Sequence, residues 1–182
     1  MAKPRGRETV SDMVRSLAVV GAVVAALFLV VVWQRPEVQG DVRSPVDVAG
    51  AVGAVQTSGP FPVLAPAPPA SWTPTSAWFE PNSADVPGAV LHVGYQTASG
   101  SYAEVRQTDA ALDDAVSAWA DYGVPTGEQT ELAGLTWQRV ESDRTGRRAL
   151  VTSRSTGDGA VAVVVTGKAD WPELEVLAGS LR

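Results

Sequence analysis

Residues 17–33, LAVVGAVVAALFLVVVW, form an apolar run, and no charge occurs between Ser16 and Gln34. This run constrains the chain more than any other feature. Seventeen residues make roughly 26 Å of helix at about 1.5 Å per residue. That approaches the roughly 30 Å hydrocarbon core of a bilayer. A helix satisfies its backbone hydrogen bonds within one segment, as lipid requires. The many valines lower helix propensity in water, but that penalty matters little where no water competes. The expectation is a transmembrane helix over 16–34.

The flanks give this helix a direction. Before it stand Lys3, Arg5, Arg7 and Arg15 against Glu8 and Asp12; after it, Arg35 and Arg43 balance Glu37 and Asp41. The positive-inside rule places 1–15 in the cytoplasm as a basic tail and everything beyond Gln34 outside. Trp33 suits an interfacial anchor. A cleaved secretory signal also joins a basic start to an apolar core. Here, however, the run is long, and Gln34, Arg35, Pro36 and Glu37 follow it with no small-x-small site. The reading is an uncleaved signal-anchor in the plasma membrane.

The outer part is acidic. Four of the 14 basic and two of the 20 acidic residues precede residue 34, leaving 10 against 18, a net charge of −8. Such a surface disfavours nucleic acid as a partner. With no cysteine, an exported domain lacks disulfides and must hold together by its core alone.

Residues 35–70 read as a Pro-rich connector. In SPVD, Ser44 is a candidate N-cap, Pro45 fits the first helical position and Asp47 can close a capping box. A short helix from Pro45 to about Gln56 is expected, ended by Gly59 and Pro60. Phe61, Val63 and Leu64 are apolar enough to dock on a domain.

From residue 71 to 182 the pattern is that of an α+β domain. Strands are expected over 72–80, 89–96 and 102–107, the last two joined by a short Gly-containing loop. On the first of that pair Leu91, Val93 and Tyr95 share one face, and Val90, His92 and Gly94 the other. Asp109 opens a helix to about Tyr122 with Leu112, Ala115, Val116 and Trp119 at helical spacing. Strands then fall at 129–133, 135–141, 148–153 and 160–166. The last, AVAVVVT, reads as buried on both faces. Asp170 and Glu173 form a capping signal for a final helix with Leu174, Leu177, Ala178 and Leu181 on its apolar stripe. The expected fold is an antiparallel sheet of about five to seven strands with two main helices packed on one face.

RGRETVSDMVRSLAVV at 5–20, FPVLAP at 61–66, Trp72, LHVGYQTASGSYAEVRQ at 91–107, GLTWQR at 134–139, RALV at 148–151 and VVVTG at 163–167 together resemble the actinobacterial single-pass membrane proteins of the domain of unknown function family 4245. That resemblance implies a membrane-anchored envelope protein and supplies no activity. The element order is weakly similar to Mog1- and PsbP-like domains.

Catalytic motifs are mostly absent. There is one histidine, His92, and no G-x-S-x-G, P-loop, H-E-x-x-H or C-x-x-C. His92 on a strand reads as a hydrogen-bonded structural residue, with a pH-sensing or ligand role as the alternative. No cofactor, metal or catalytic residue is assigned. Asp109, Asp113 and Asp114 read as a solvated helix start. Glu141, Asp143, Arg144, Arg147 and Arg148 form a charged hairpin tip. Trp72 and Trp171 lie at element edges, where a ring can grip a partner. The candidate contact residues are therefore Trp72, Trp171, Arg144 and Arg147, on a non-catalytic interaction domain whose partners are the bilayer and an envelope protein. Two alternatives stand beside it. One is a hydrolase using Glu104 or Glu131 with Asp143. The other is a carrier holding a small apolar ligand between sheet and helices.

Overall fold

The computed structural model describes residues 13–15, 17, 18, 20, 21, 24, 45–59, 61–157 and 159–182. The chain divides after Ser44 into two units, Met1–Ser44 and Pro45–Arg182. In the first, Met13, Val14, Arg15, Leu17, Ala18, Val20, Gly21 and Val24 are helical. No described helix is long and apolar enough to cross a membrane. Most of the expected span 16–34, with its flanks, lies outside the described residues.

The second unit is built on one seven-stranded antiparallel sheet, ordered β1-β2-β3-β7-β6-β5-β4. Its strands are β1 (Thr73–Glu80), β2 (Val90–Gln96), β3 (Tyr102–Thr108), β4 (Val124–Leu132), β5 (Leu135–Glu141), β6 (Arg148–Thr156) and β7 (Gly159–Gly167). Three helices accompany them: α1 (Val48–Ser58), α2 (Leu112–Trp119) and α3 (Trp171–Gly179).

The sheet has an apolar layer on each face. On the first face, Leu91, Val93, Val105, Val163 and Val165 pack with Val52 and Val55 of α1 and Leu174, Leu177 and Ala178 of α3. On the second, Val90, Val151, Ala162 and Val164 pack with Ala115 and Trp119 of α2. This corrects the expectation that both main helices share one face. Alternation along β7 sends Val161, Val163 and Val165 one way and Ala162 and Val164 the other. Both sets are buried, so each face needs a cover. The continuous apolar run of β7 already required this.

The connector is part of the fold. Phe61 and Leu64 are buried in the first-face core, with Val63 partly buried beside them, as their apolar character predicts. The amide of buried Gln107 closes a pair of hydrogen bonds on Leu64: its carbonyl accepts from Leu64 N at 2.8 Å and its NH2 donates to Leu64 O at 2.7 Å. Residues 65–67 then run beside the chain's C-terminus, with Ala65 and Arg182 exchanging both backbone hydrogen bonds and Pro66 bridging Leu181.

Three local expectations change. Asp47, not Ser44, is the N-cap of α1 and accepts from Gly50 N at 2.7 Å. Asp109 does not open α2; its Oδ1 accepts from Ala89 N at 2.8 Å and fixes the entry to β2. Asp170 occupies the N-cap position of α3 without a capping bond; its carboxylate accepts from Arg148 at 3.1 Å instead. Asp47 thus caps locally, while the Asp109 and Asp170 carboxylates accept from donors that tertiary structure brings to them.

Candidate functional site

Two polar constructions stand out on the folded unit. The first is an open cleft of about 810 Å³ at the end of the sheet where α2, the β5–β6 hairpin tip and the segment after β7 meet. Ser117 and Ala118 of α2, Asp121, Tyr122, residues 145–148 and residues 167–169 line it. α2 ends at Trp119, and Asp121 (φ 51°) and Tyr122 (φ 54°) both take the left-handed conformation. Two consecutive non-glycine residues held there cost of order 1–2 kcal/mol each and persist only where surrounding structure enforces them. Tyr122 is 68% exposed.

The cleft's charges are arranged rather than scattered. The Arg147 guanidinium donates to Trp119 O, the C-terminal end of α2, at 3.1 Å. A cation there also complements the helix dipole. Arg148 reaches Asp170, and its guanidinium lies 5.8 Å from the centre of the Trp171 ring. Asp121 accepts from Ser142 Oγ at 3.1 Å and lies 3.8 Å from Arg144. Hydrogen bonding from Thr145 holds its carboxyl below the usual range, with Ser142 and the arginines adding to that. Lys168 is exposed on the cleft wall.

The second construction lies on the β1–β3 part of the second face, beside α2, which packs on β6 and β7. Ser76 and Trp78 of β1, His92 and Gly94 of β2, and Tyr102, Glu104 and Arg106 of β3 all point to this side, by the alternation that places Val90 there. Ser76 Oγ is 2.8 Å from His92 Nε2. His92 Nδ1 makes no hydrogen bond and sits 3.5 Å from Glu104 Oε2. Tyr102 donates to the same carboxylate oxygen at 2.9 Å, and Arg106 lies 3.5 Å from it. The Trp78 ring stacks on the imidazole at 4.8 Å and 14°. His92 and Glu104 are 4% and 3% exposed.

Burial dominates the electrostatics of this cluster. It lowers the His92 pKa to about 4, against a smaller upward pull from Glu104 and with a further downward push from Arg106. The imidazole is therefore neutral near pH 7. Burial, reinforced by Glu104, also raises the Tyr102 hydroxyl to about 12. Gly94 makes the convergence geometrically feasible, because a Cβ there would lie 2.6 Å from both Ser76 Oγ and Tyr102 Oη. An interior strand glycine of this kind marks close approach.

A family model described as a protein of unknown function, DUF4245, matches residues 5–181. The chain belongs to the DUF4245 family. No curated protein and no solved structure matches it.

In this DUF4245 chain, the four contact residues expected from sequence separate. Arg147 lines the cleft, and Arg144 stands next to it through Asp121. Trp171 is half-buried under the guanidiniums of Arg139 (5.0 Å) and Arg148 and does not line the cleft. Trp72 is 8% exposed, sits in the core against Tyr95 at 6.3 Å and presents no ring to a partner. Arg148 of the charged hairpin tip lines the cleft as well, together with Tyr122 and Lys168, which the sequence does not mark as contacts. Glu104, Glu131 and Asp143 do not converge: Glu104 is buried on β3, Glu131 is exposed on β4 and bonded to Thr136, and Asp143 is at the β5–β6 tip. Among the described residues no group of three or more His, Asp or Glu side chains could hold a metal ion.

Proposed function

We propose that this DUF4245 protein is a single-pass membrane protein whose residues 45–182 form an extracytoplasmic binding domain of the cell envelope. In this reading residues 16–34 span the plasma membrane, with 1–15 cytoplasmic. The charge-free run 17–33 and the basic residues before it support that topology.

The observation that carries the binding role is the cleft. It combines an exposed aromatic residue held in a strained backbone, two oriented guanidiniums, an exposed lysine and an acceptor carboxylate. Such a set grips a polar partner by stacking on Tyr122 and by hydrogen bonds from Arg147, Arg148 and Lys168. A tethered domain meets membrane-proximal partners at high effective concentration, so modest contacts suffice. The carrier reading finds no support in the first-face core, where Trp137, Leu150, Leu174 and Leu177 are fully buried.

Crosslinking intact cells and recovering the full-length protein tests the reading. Wild-type protein retains a crosslinked species that Tyr122→Ala with Lys168→Glu loses. Equal recovery from both proteins removes the cleft as the binding surface.

A further inference from the structure

The Ser76–His92–Glu104 cluster uses adjacent strands, one side chain from each, and joins them in the order that a nucleophile, its base and an orienting carboxylate require. Packing does not account for it. Burying Glu104 and His92 costs several kcal/mol relative to apolar residues of similar size, and on the same face β6 and β7 bury Ala149, Val151, Ala162 and Val164 beside the uncharged Thr166.

We propose that Ser76 is a nucleophile toward esters or thioesters, with His92 as its base and Glu104 as the group that positions the imidazole. Four features prepare it. The irregularity in β1 between Pro74 and Ser76 re-aims the serine side chain. Gly94 leaves room for Ser76 Oγ and Tyr102 Oη together. Trp78 holds the imidazole plane, and Tyr102 and Arg106 hold the carboxylate. The neutral imidazole is the form that accepts a proton.

In the reaction, Ser76 Oγ bonds to the carbonyl carbon while its proton passes to His92 Nε2. The resulting imidazolium draws its Nδ1–H toward Glu104, shortening the 3.5 Å separation of the resting site. Collapse of the tetrahedral intermediate breaks the bond to the alcohol or thiol, which leaves with the proton from Nε2. Water, deprotonated by the same nitrogen, then attacks the acyl-serine. The carboxylic acid is released and Ser76 regains its proton.

The test is labelling of the full-length chain in detergent with an alkyl fluorophosphonate, followed by peptide mapping. The expected result is one adduct, on Ser76. His92→Gln slows its formation by at least about 100-fold, and Glu104→Gln slows it while leaving the adduct on the same residue. No adduct on Ser76 overturns the proposal, and the wild-type map decides this without requiring any variant to fold. An adduct whose rate is unchanged in a folded His92→Gln variant overturns it equally, since the serine would then react without its base.

Discussion

Gln107 grips the backbone of Leu64 with both ends of its amide, across 43 residues of sequence and with no exposure to solvent. This contact ties the connector to the sheet, beside the core packing of Phe61 and Leu64 and the backbone pairing of Ala65 with Arg182. Replacing Gln107 with Leu leaves a buried N–H and a buried C=O without partners, each worth about 1–3 kcal/mol. Urea unfolding should show a loss of about 3 kcal/mol, and a loss within 0.5 kcal/mol of zero (roughly the size of a surface substitution) would mean that the pair contributes nothing to stability.

Removing the connector should cost more than any single substitution in it. Residues 45–70 supply Val52, Val55, Phe61 and Leu64 to the first-face core and a bridge to Leu181. A chain cut to 71–182 exposes that apolar surface and should lose its cooperative thermal transition, whereas 45–182 retains it. Equal melting of the two fragments by circular dichroism would show that the connector is dispensable.

His92 should make the domain sensitive to mild acid. Its pKa falls from about 6.5 in the unfolded chain to about 4 in the fold, chiefly by burial. The unfolded state therefore binds the extra proton first as pH drops. Stability contributed by the neutral imidazole is intact above about pH 6.5 and is lost progressively between 6.5 and 4, by on the order of 3 kcal/mol. The difference in unfolding free energy between wild type and His92→Gln should narrow over that window. A difference that stays constant from pH 7 to pH 4 contradicts the depressed value.

Tyr122 should show stability and binding in opposition. Glycine at 122 adopts φ 54° without penalty, so Tyr122→Gly should raise stability by about 1 kcal/mol through relief of strain, part of it offset by a more flexible unfolded chain. The same change removes the exposed ring from the cleft and should weaken partner capture. A variant that is both more stable and fully competent in capture would separate the strained turn from function.

Much of the fold is legible in the sequence where one periodicity speaks alone. β5 occupies the expected 135–141, and the hairpin of β2 and β3 follows from alternation around a Gly-containing loop. β4 starts at Val124 rather than near 129, because Pro125 and Gly127 hide a strand that accommodates them at an irregularity on the sheet edge. The two-faced layering was implicit in AVAVVVT.

The His92 cluster was half legible. Hairpin pairing sets His92 opposite Arg106 and diagonal to Glu104, which alternation alone foretells. Ser76 was not, since its place depends on the shift within β1. The cleft was least legible, because Tyr122, Arg147 and Lys168 come from three segments distant in sequence.

A photo-reactive amino acid installed at position 122, irradiated in intact cells, tests most directly whether the cleft is an outward-facing binding surface. The account predicts one dominant adduct, formed only with the domain outside the cytoplasmic membrane, reduced at least tenfold by Lys168→Glu and absent when the same reagent is placed at exposed Gln129 on β4. No adduct at 122, or the same adduct from both positions, would contradict it.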